Sequence, residues 1–283
     1  MSAKFGPAGN AADFPYKASE KAPAWLAAQG LDCYEYQCGK GVHIGEESAR
    51  RIGAAARQAG IVLSLHAPYF INLANPDPDS RQKTIGYITA ACRAADWMGA
   101  RRVVIHSGAL MGRTRRQAMD IALPALRAVL AACDNAGFGH IALCPETMGK
   151  INQLGDLDEV LELCRLDERL IPCIDFGHLY ARSLGREDGE EAMARMLDRV
   201  ASSLGEERAA RFHSHFSHIE FTLKGGEKCH RTFEDDGGYG PDWTPLARQV
   251  AHRGWSPTFI CESAGTQARD AAEMKRIYQS FLP

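Results

Sequence analysis

The stretch GIVLSLHAP (60–68), followed by SRQKTIGYITAACRAADWMGA (80–100) and then RRVVIHSG (101–108), decides the fold. Each short run of β-branched residues predicts a strand, and the Ala-rich amphipathic segment between them predicts a connecting helix. The same alternation recurs along the whole chain, with further strand runs at 3–9, 31–39, 140–147, 169–178, 212–221 and 257–265. Eight such units predict an α/β fold, a parallel sheet closed into a (β/α)8 TIM barrel.

One domain over residues 1–283 is the organisation that this pattern favours, because (β/α)8 barrels of about 250 residues fold as a single unit. No linker rich in Pro, Gly or Ser divides the sequence. An open doubly wound sheet is the alternative arrangement. Its nucleotide-binding form is disfavoured, since neither GxGxxG nor a P-loop motif follows the first strand.

Composition predicts an ordinary globular protein, with 45% apolar and 24% charged residues. No apolar run reaches the roughly 18 residues that span a membrane. The N-terminus has no continuous apolar stretch either, so we expect a cytoplasmic protein without a membrane partner. The nine cysteines are dispersed without a CxxC pair, which favours reduced thiols. A net charge of −2 neither favours nor excludes nucleic acid, and no protein partner can be inferred.

Histidines and carboxylates stand at the ends of six consecutive predicted strands, the third to the eighth. The residues are His66, His106, Glu146, Asp175 with His178, His215 and Glu262. The carboxyl ends of barrel strands converge on one mouth, so these side chains should meet there. Imidazole and carboxylate ligands together suit zinc, with manganese or iron as alternatives. His213 shares the inward face of its strand with His215 and should lie deeper in the barrel.

Each of these residues has a simpler explanation when it is taken alone. A strand-end histidine is often a hydrogen-bonded structural residue, and Glu146–Thr147 or Glu262–Ser263 could cap the following helix. Capping does not explain why six strands in a row end in this way. Carboxylates brought together without a cation would also repel one another and raise their pKa values. The pattern therefore predicts a metal site.

Taken together, the strand-end motifs resemble the endonuclease IV family of apurinic/apyrimidinic endonucleases, within the xylose-isomerase-like TIM barrels. The resemblance runs over nearly the whole chain and is strongest from 62 to 262. It rests on HAPYFINLA (66–74), VVIHSG (103–108), PETMGK (145–150), CIDFGHLYA (173–181), HFSHIE (215–220), HRTFEDDGGYGPD (230–242) and ICESAG (260–265).

The resemblance implies zinc as the cofactor, with two to three ions per chain. The implied ligands are His66 and His106 for the first ion, Glu146 as the bridge to a second, Asp175, His215 and Glu262 for that second ion, and His178 and His230 for the third. The implied activity is hydrolysis of the phosphodiester bond 5′ to an abasic site in duplex DNA, as in base excision repair.

Within that activity, Glu146 would be the catalytic residue that helps to orient the attacking nucleophile. Tyr69 and Phe70 stand where the family places a DNA-binding pair that wedges into the duplex. The alternative is an aromatic anchor that covers the barrel mouth. Duplex DNA containing abasic sites is the partner that the resemblance implies.

Two departures from the family pattern concern the DNA-specific part of the site. The family has an Asp two residues before the last histidine ligand, and this chain has Lys228 there, with Glu227 one residue away. The third metal site could therefore use another carboxylate, be weaker or be empty. The loop YQCGKGVHIG (36–45) lacks a clear match to the family's DNA-inserting arginine, although Lys40 is nearby.

Two other functions stay open. A sugar isomerase or epimerase of the same superfamily binds one metal through a Glu–Asp–His–Glu set, which the predicted ligands on the fifth to eighth strands would satisfy. A metal-binding protein without catalysis is the other reading. The discriminating residues are the additional histidines, which a single-metal isomerase does not need: His66, His106, His178 and His230.

Overall fold

Strands and helices alternate along the chain, as seen in a computed structural model that describes residues 2–283. The strands are β1 (Lys4–Pro7), β2 (Cys33–Gln37), β3 (Val62–His66), β4 (Arg102–His106), β5 (Ala142–Glu146), β6 (Cys173–Asp175), β7 (His213–Phe216), β8 (His218–Thr222), β9 (Gly226–Arg231) and β10 (Thr258–Cys261). The helices are α1 (Ala22–Ala28), α2 (Glu46–Ala59), α3 (Pro78–Met98), α4 (Arg115–Asn135), α5 (Leu157–Cys164), α6 (Phe176–Arg182), α7 (Gly189–Leu204), α8 (Glu206–Ala209), α9 (Trp243–Arg253) and α10 (Gln267–Gln279).

Eight of the strands form one parallel sheet in the order β1-β10-β7-β6-β5-β4-β3-β2. The two edge strands of this sheet approach each other through a parallel bridge between Ala8 and Glu35, which nearly closes it into a barrel. Helices connect successive strands of the barrel. The predicted single-domain TIM barrel is confirmed, and the open doubly wound sheet is not the fold.

The run 212–221, predicted as one strand, divides in two. β7 ends at Phe216 and stays in the barrel, whereas β8 begins at His218 and pairs antiparallel with β9. β9 lies between the runs 212–221 and 257–265, where the sequence predicts no strand. The apolar positions shift by one residue at the break, from Phe212 and Phe216 to Ile219 and Phe221, but in so short a run this shift does not by itself show that the chain leaves the barrel. The resulting β8–β9 hairpin borders the barrel mouth.

The interior of the barrel has an apolar layer below a polar one. A small cluster separate from the main core consists of Val104, Cys144, Ile171 and Cys173. Strand side chains alternate with a period of two, so the residues two positions further along β4, β5 and β6 share this inward face: His106, Glu146 and Asp175. The apolar layer therefore forms the base of a polar mouth.

Helix capping fixes the loops that surround this mouth. α4 begins with a capping box, in which Thr114 and Gln117 each accept a hydrogen bond from the other's main-chain N–H. α3 begins after Asp77, whose carboxylate accepts from the main chain of Ser80 at 2.9 Å. Both caps lie in loops that follow barrel strands, so they hold the carboxyl rim in place.

No helix within residues 2–283 is both long and apolar enough to cross a membrane. All nine cysteines are free thiols, and eight of them are buried. The sulfur atoms of Cys92 in α3 and Cys133 in α4 lie 3.8 Å apart.

Candidate metal centre

A cavity of about 390 Å³ opens at the carboxyl ends of the barrel strands. Six of the predicted ligands line it: His66, His106, Glu146, His178, His230 and Glu262. The other two, Asp175 and His215, are completely buried and contact the lining residues from below. All eight predicted residues therefore meet at one mouth, although no two of them lie in the same helix or strand.

Glu146 lies at the centre of the group, with a ring nitrogen near each carboxylate oxygen. On one side, Nε2 of His66 and Nε2 of His106 lie 3.2 Å and 3.3 Å from its Oε2 atom. On the other side, Nδ1 of His215 lies 3.0 Å from Oε1, and Nδ1 of His178 lies 3.6 Å from the same atom. A carboxylate flanked in this way by imidazoles from both sides can bridge two cations.

The orientation of most of the imidazoles is fixed by a second hydrogen bond. Nδ1 donates to a main-chain carbonyl in three of them: His66 to Ala67 at 2.7 Å, His106 to Tyr69 at 3.2 Å and His178 to Thr147 at 2.8 Å. In His230, Nδ1 lies 2.8 Å from the Ser217 hydroxyl. A hydrogen on Nδ1 leaves the Nε2 lone pair free, which is the form of imidazole that binds a metal.

Glu35 completes this support from below and was not among the predicted residues. Its Oε1 lies 2.9 Å from Nε2 of His215, and its Oε2 lies 2.9 Å from Nε2 of His213 and accepts from the Ser64 hydroxyl at 2.9 Å. The carboxylate thus directs Nδ1 of His215 towards the mouth. The strand-end pattern does not include Glu35, because Glu35 lies two residues before the end of β2. The feature of the sequence that could have identified it is a carboxylate in the middle of the strand CYEYQ (33–37).

A second ligand group stands beside the first and consists of His178, Glu227 and His230. The irregularity in the β8–β9 pairing explains why Glu227 joins it. Ile219 pairs with His230 and Phe221 pairs with Glu227, so Lys228 is an extra, bulged residue between them. The bulge puts Glu227 on the same strand face as His230.

Lys228 itself points away from the mouth and forms an ion pair with Glu220. The residue that departs from the endonuclease IV pattern is therefore outside the site. Nε2 of His178 lies 3.5 Å from the Glu227 carboxylate, which supplies the acidic side chain that the pattern led us to seek. The bulge compensates for the offset of one residue in the sequence.

The surroundings of the Asp175 carboxylate show whether this set of side chains fits a metal ion. Its Oδ1 atom accepts from the main chain of His178 at 2.7 Å and so caps α6, whereas its Oδ2 atom is buried and has no hydrogen-bond partner among residues 2–283. One ligand atom each of Glu146, Asp175, His215 and Glu262 lies within 4.8 Å of the others. A buried, unpartnered carboxylate oxygen is costly unless it coordinates a cation, so the residues present fit a divalent metal.

The pKa values of the buried groups also indicate that the mouth favours a cation. Burial alone would lower the pKa of His178, but Asp175, Glu227 and Glu146 outweigh it and raise the pKa to about 9. Burial would raise the pKa of Glu146, yet His215 and other nearby rings hold it well below its usual range. The mouth therefore favours positive charge among its carboxylates.

Tyr69 and Phe70 stand at the rim of the cavity, each with 52% of its surface exposed. The Tyr69 ring stacks on His106 with 5.5 Å between ring centres, and its hydroxyl donates to Gln37 at 3.1 Å. Phe70 packs edge-on against Tyr87 at 4.8 Å. Tyr69 thus covers part of the mouth, as an aromatic anchor would, and DNA binding by the pair stays a prediction.

These features define a class of protein, the (β/α)8 barrels whose polar site is built from strand ends at the carboxyl mouth. The chain belongs to the xylose isomerase-like TIM barrel family, whose model matches residues 23–279. An uncharacterized protein of Methanocaldococcus jannaschii is 30% identical over 243 residues, which cover 86% of each chain. A probable endonuclease 4 of Mycoplasma pneumoniae is 33% identical over 128 residues, 44% of this chain and 42% of that protein.

Two solved structures illustrate the range of the fold. Endonuclease IV from Thermus thermophilus superposes with a TM-score of 0.67 at 18% identity and 98% coverage of both chains. A D-tagatose 3-epimerase-like protein superposes with a TM-score of 0.72 at 17% identity, over 98% of this chain and 96% of that one. The predicted resemblance to endonuclease IV is confirmed at the level of sequence relatives and fold.

Proposed function

We propose that the chain is a metal-dependent phosphodiester hydrolase that cleaves DNA 5′ to abasic sites. The observation that carries this proposal is the group His178–Glu227–His230, which stands beside the group around Glu146. A single metal ion needs about four protein ligands, and the mouth offers ligands for more than one ion. Extra imidazoles with fixed orientation have a purpose in a multinuclear centre and little purpose in a mononuclear one.

Three sets of residues would hold the ions, in our proposal zinc, with manganese or iron as alternatives. The sets are His66, His106 and Glu146; Glu146, Asp175, His215 and Glu262; and His178, Glu227 and His230. When bound, divalent ions of this kind lower the pKa of water to near 7 and offset the charge of a phosphodiester. The protein's own part is to hold the ligand atoms in place, with Glu146 shared between two sets.

The depth of the site supports a displaced nucleotide as the substrate. Glu146 and His66 are only 1% exposed, so a sugar–phosphate within an intact helix would not reach them. The nucleotide must leave the helical stack, and the cost of a few kcal/mol is smallest where no base is paired. In our proposal the exposed Phe70 ring stacks against the exposed base next to the abasic position.

A single-metal sugar isomerase or epimerase is the second candidate. The observation that favours it is that Glu146, Asp175, His215 and Glu262 suffice by themselves to hold one ion within 4.8 Å ligand-atom spacing. Such an enzyme would move a proton between the two glutamates beside a polarised carbonyl. The His178 group would then have no role in the reaction.

Metal content separates the two candidates. Protein purified without chelator should contain two to three ions per chain by elemental analysis, and one ion would favour the isomerase. Zinc- or manganese-loaded protein should then nick a duplex with one abasic site and leave the matched intact duplex uncut.

Variants link the nicking to the site. Glu146→Gln should abolish nicking while the circular dichroism spectrum stays unchanged. His140→Gln is the matched control, because His140 is exposed and bonds only to Asp96, and it should cut like the parent protein. Full nicking by Glu146→Gln would refute the proposed mechanism.

A further inference from the structure

The opposite, amino-terminal end of the barrel also contains a cavity, with a volume of about 490 Å³. It is lined by the first residues of several strands and by the segment before β7, and it shares no lining residue with the metal mouth. We call it the floor cavity. Its polar and charged lining residues are Lys4, Ser64, Arg101, Arg102, Glu207, Arg211, His213, Ser256 and Thr258. Its volume falls within the roughly 300–1,000 Å³ typical of small-molecule sites.

Positive charge dominates the floor cavity. Four cationic side chains line it, Lys4, Arg101, Arg102 and Arg211, against the single carboxylate of Glu207. In the part of the chain that the structure describes, Glu207 forms an ion pair only with Arg211, at 3.4 Å. Among residues 2–283, no carboxylate oxygen lies within 4.0 Å of a side-chain nitrogen of the other three cations. Their charges are therefore not neutralised by the protein itself.

Arg102 is the central member of this set. Its guanidinium reaches from β4 to the start of β7, where it donates to the carbonyls of Arg211 at 2.8 Å and Phe212 at 3.4 Å. Burial lowers its pKa, and the nearby Arg211 lowers it further. Within residues 2–283 this half-buried guanidinium has carbonyl groups as its hydrogen-bond partners and no carboxylate, so its charge is left without a paired anion.

Two residues with hydroxyl groups, Ser256 and Thr258, also line the cavity. Guanidinium and ammonium groups combined with hydroxyls make a site suited to an oxyanion with several acceptor oxygens.

We propose that the floor cavity binds a small phosphate-bearing anion, such as a phosphate monoester. The three acceptor oxygens of a phosphate can engage donors from several sides at once, as the spread of Lys4, Arg101, Arg102 and Arg211 requires. A carboxylate has only two oxygens in one plane and fits this arrangement less well. The proposal is independent of what the metal mouth does.

The test is calorimetric titration of metal-free protein with inorganic phosphate and with methyl phosphate, at constant ionic strength set with chloride. Acetate is titrated in parallel as the carboxylate probe. The parent protein should bind both phosphate compounds and bind acetate at least tenfold more weakly. No phosphate binding, or equal binding of acetate, would overturn the proposal.

Variants assign the binding to the floor cavity. The double variant Arg101→Ser with Arg211→Ser removes two exposed side chains, so the fold should persist, and phosphate should bind at least about tenfold more weakly. Arg50→Ser with Arg195→Ser is the matched control, since both arginines are exposed and lie on distant helices, and it should bind like the parent. Glu146→Gln should also leave phosphate binding unchanged. If instead Glu146→Gln loses binding and the floor variant keeps it, the anion sits in the metal mouth and the proposal is wrong.

Discussion

The change Glu35→Gln should weaken metal binding although Glu35 does not reach the cavity. Its carboxylate accepts from two imidazoles at once, His213 and His215, each at 2.9 Å. A glutamine of the same shape has only one accepting oxygen, so its NH2 group would face an N–H of one ring. His215 could relieve this clash by moving its hydrogen to Nδ1, the atom that faces Glu146. That atom would then no longer be available to a metal ion.

The expected magnitude follows from the kind of contact that is lost. A hydrogen bond to a charged group is worth about 1.5–3 kcal/mol, which corresponds to roughly a 10- to 100-fold change in an equilibrium constant. Loss of the partner behind a metal-bound histidine typically weakens metal affinity by about the same factor, 10- to 100-fold. We therefore expect the dissociation constant of the ion held by His215 to rise by about 10- to 100-fold.

The assay is competition for zinc between the protein and a chromophoric chelator of known affinity, at fixed pH. Glu159→Gln is the matched control, because Glu159 is also a buried carboxylate but binds Arg115 and the start of α5, away from the mouth. This control should melt at a lower temperature and hold metal as the parent does. If Glu35→Gln competes for zinc as well as the parent and the control do, Glu35 does not position His215 for a metal.

The remaining predictions concern the second ligand group, the rim and metal removal. Glu227→Gln should lower the metal content by about one ion per chain, whereas Lys228→Gln should leave it unchanged; equal content in both would remove Glu227 from the site. Phe70→Ala should weaken binding of an abasic duplex by about tenfold without changing the metal content, and unchanged affinity in gel-shift titration would show that the ring does not contact DNA. Chelation of the metal should lower the melting temperature, because an ion at 100 times its dissociation constant stabilises the fold by about 2.7 kcal/mol, and calorimetric scans that coincide with and without metal would contradict a bound structural cation.

Much of this arrangement could be predicted from the sequence because barrel geometry turns strand ends into neighbours. Once the alternation of strands and helices is recognised, residues such as His66, Glu146 and Glu262 must face one mouth, whatever the details of the loops. The same geometry put His213 below His215, since side chains on a strand alternate with a period of two. These inferences need only local patterns and a closed sheet.

Two roles that the sequence did not assign, those of Glu35 and Glu227, depend on contacts between distant segments. Glu35 lies within β2 and acquires its role only because β7 brings His213 and His215 next to it across the barrel interior. Glu227 reaches its group only through the bulge at Lys228, and a bulge depends on the pairing of β9 with β8. Neither feature leaves a periodic signal in the sequence, so only the folded chain reveals it.

The contacts among these buried residues explain how the barrel interior can accommodate several carboxylates. Glu35, Glu146 and Asp175 are fully or almost fully buried in one barrel, and three carboxylates at that depth would destabilise the fold if each stood alone. Imidazoles pair with the first two, and Nδ1 of His178 lies 3.3 Å from Oδ2 of Asp175, but within residues 2–283 this oxygen accepts no hydrogen bond. A cation shared between Asp175 and its neighbours removes this remaining cost, which links the stability of the barrel to occupation of the mouth. Removal of the ion, or of a residue that holds it, would then leave an uncompensated charge buried in the barrel.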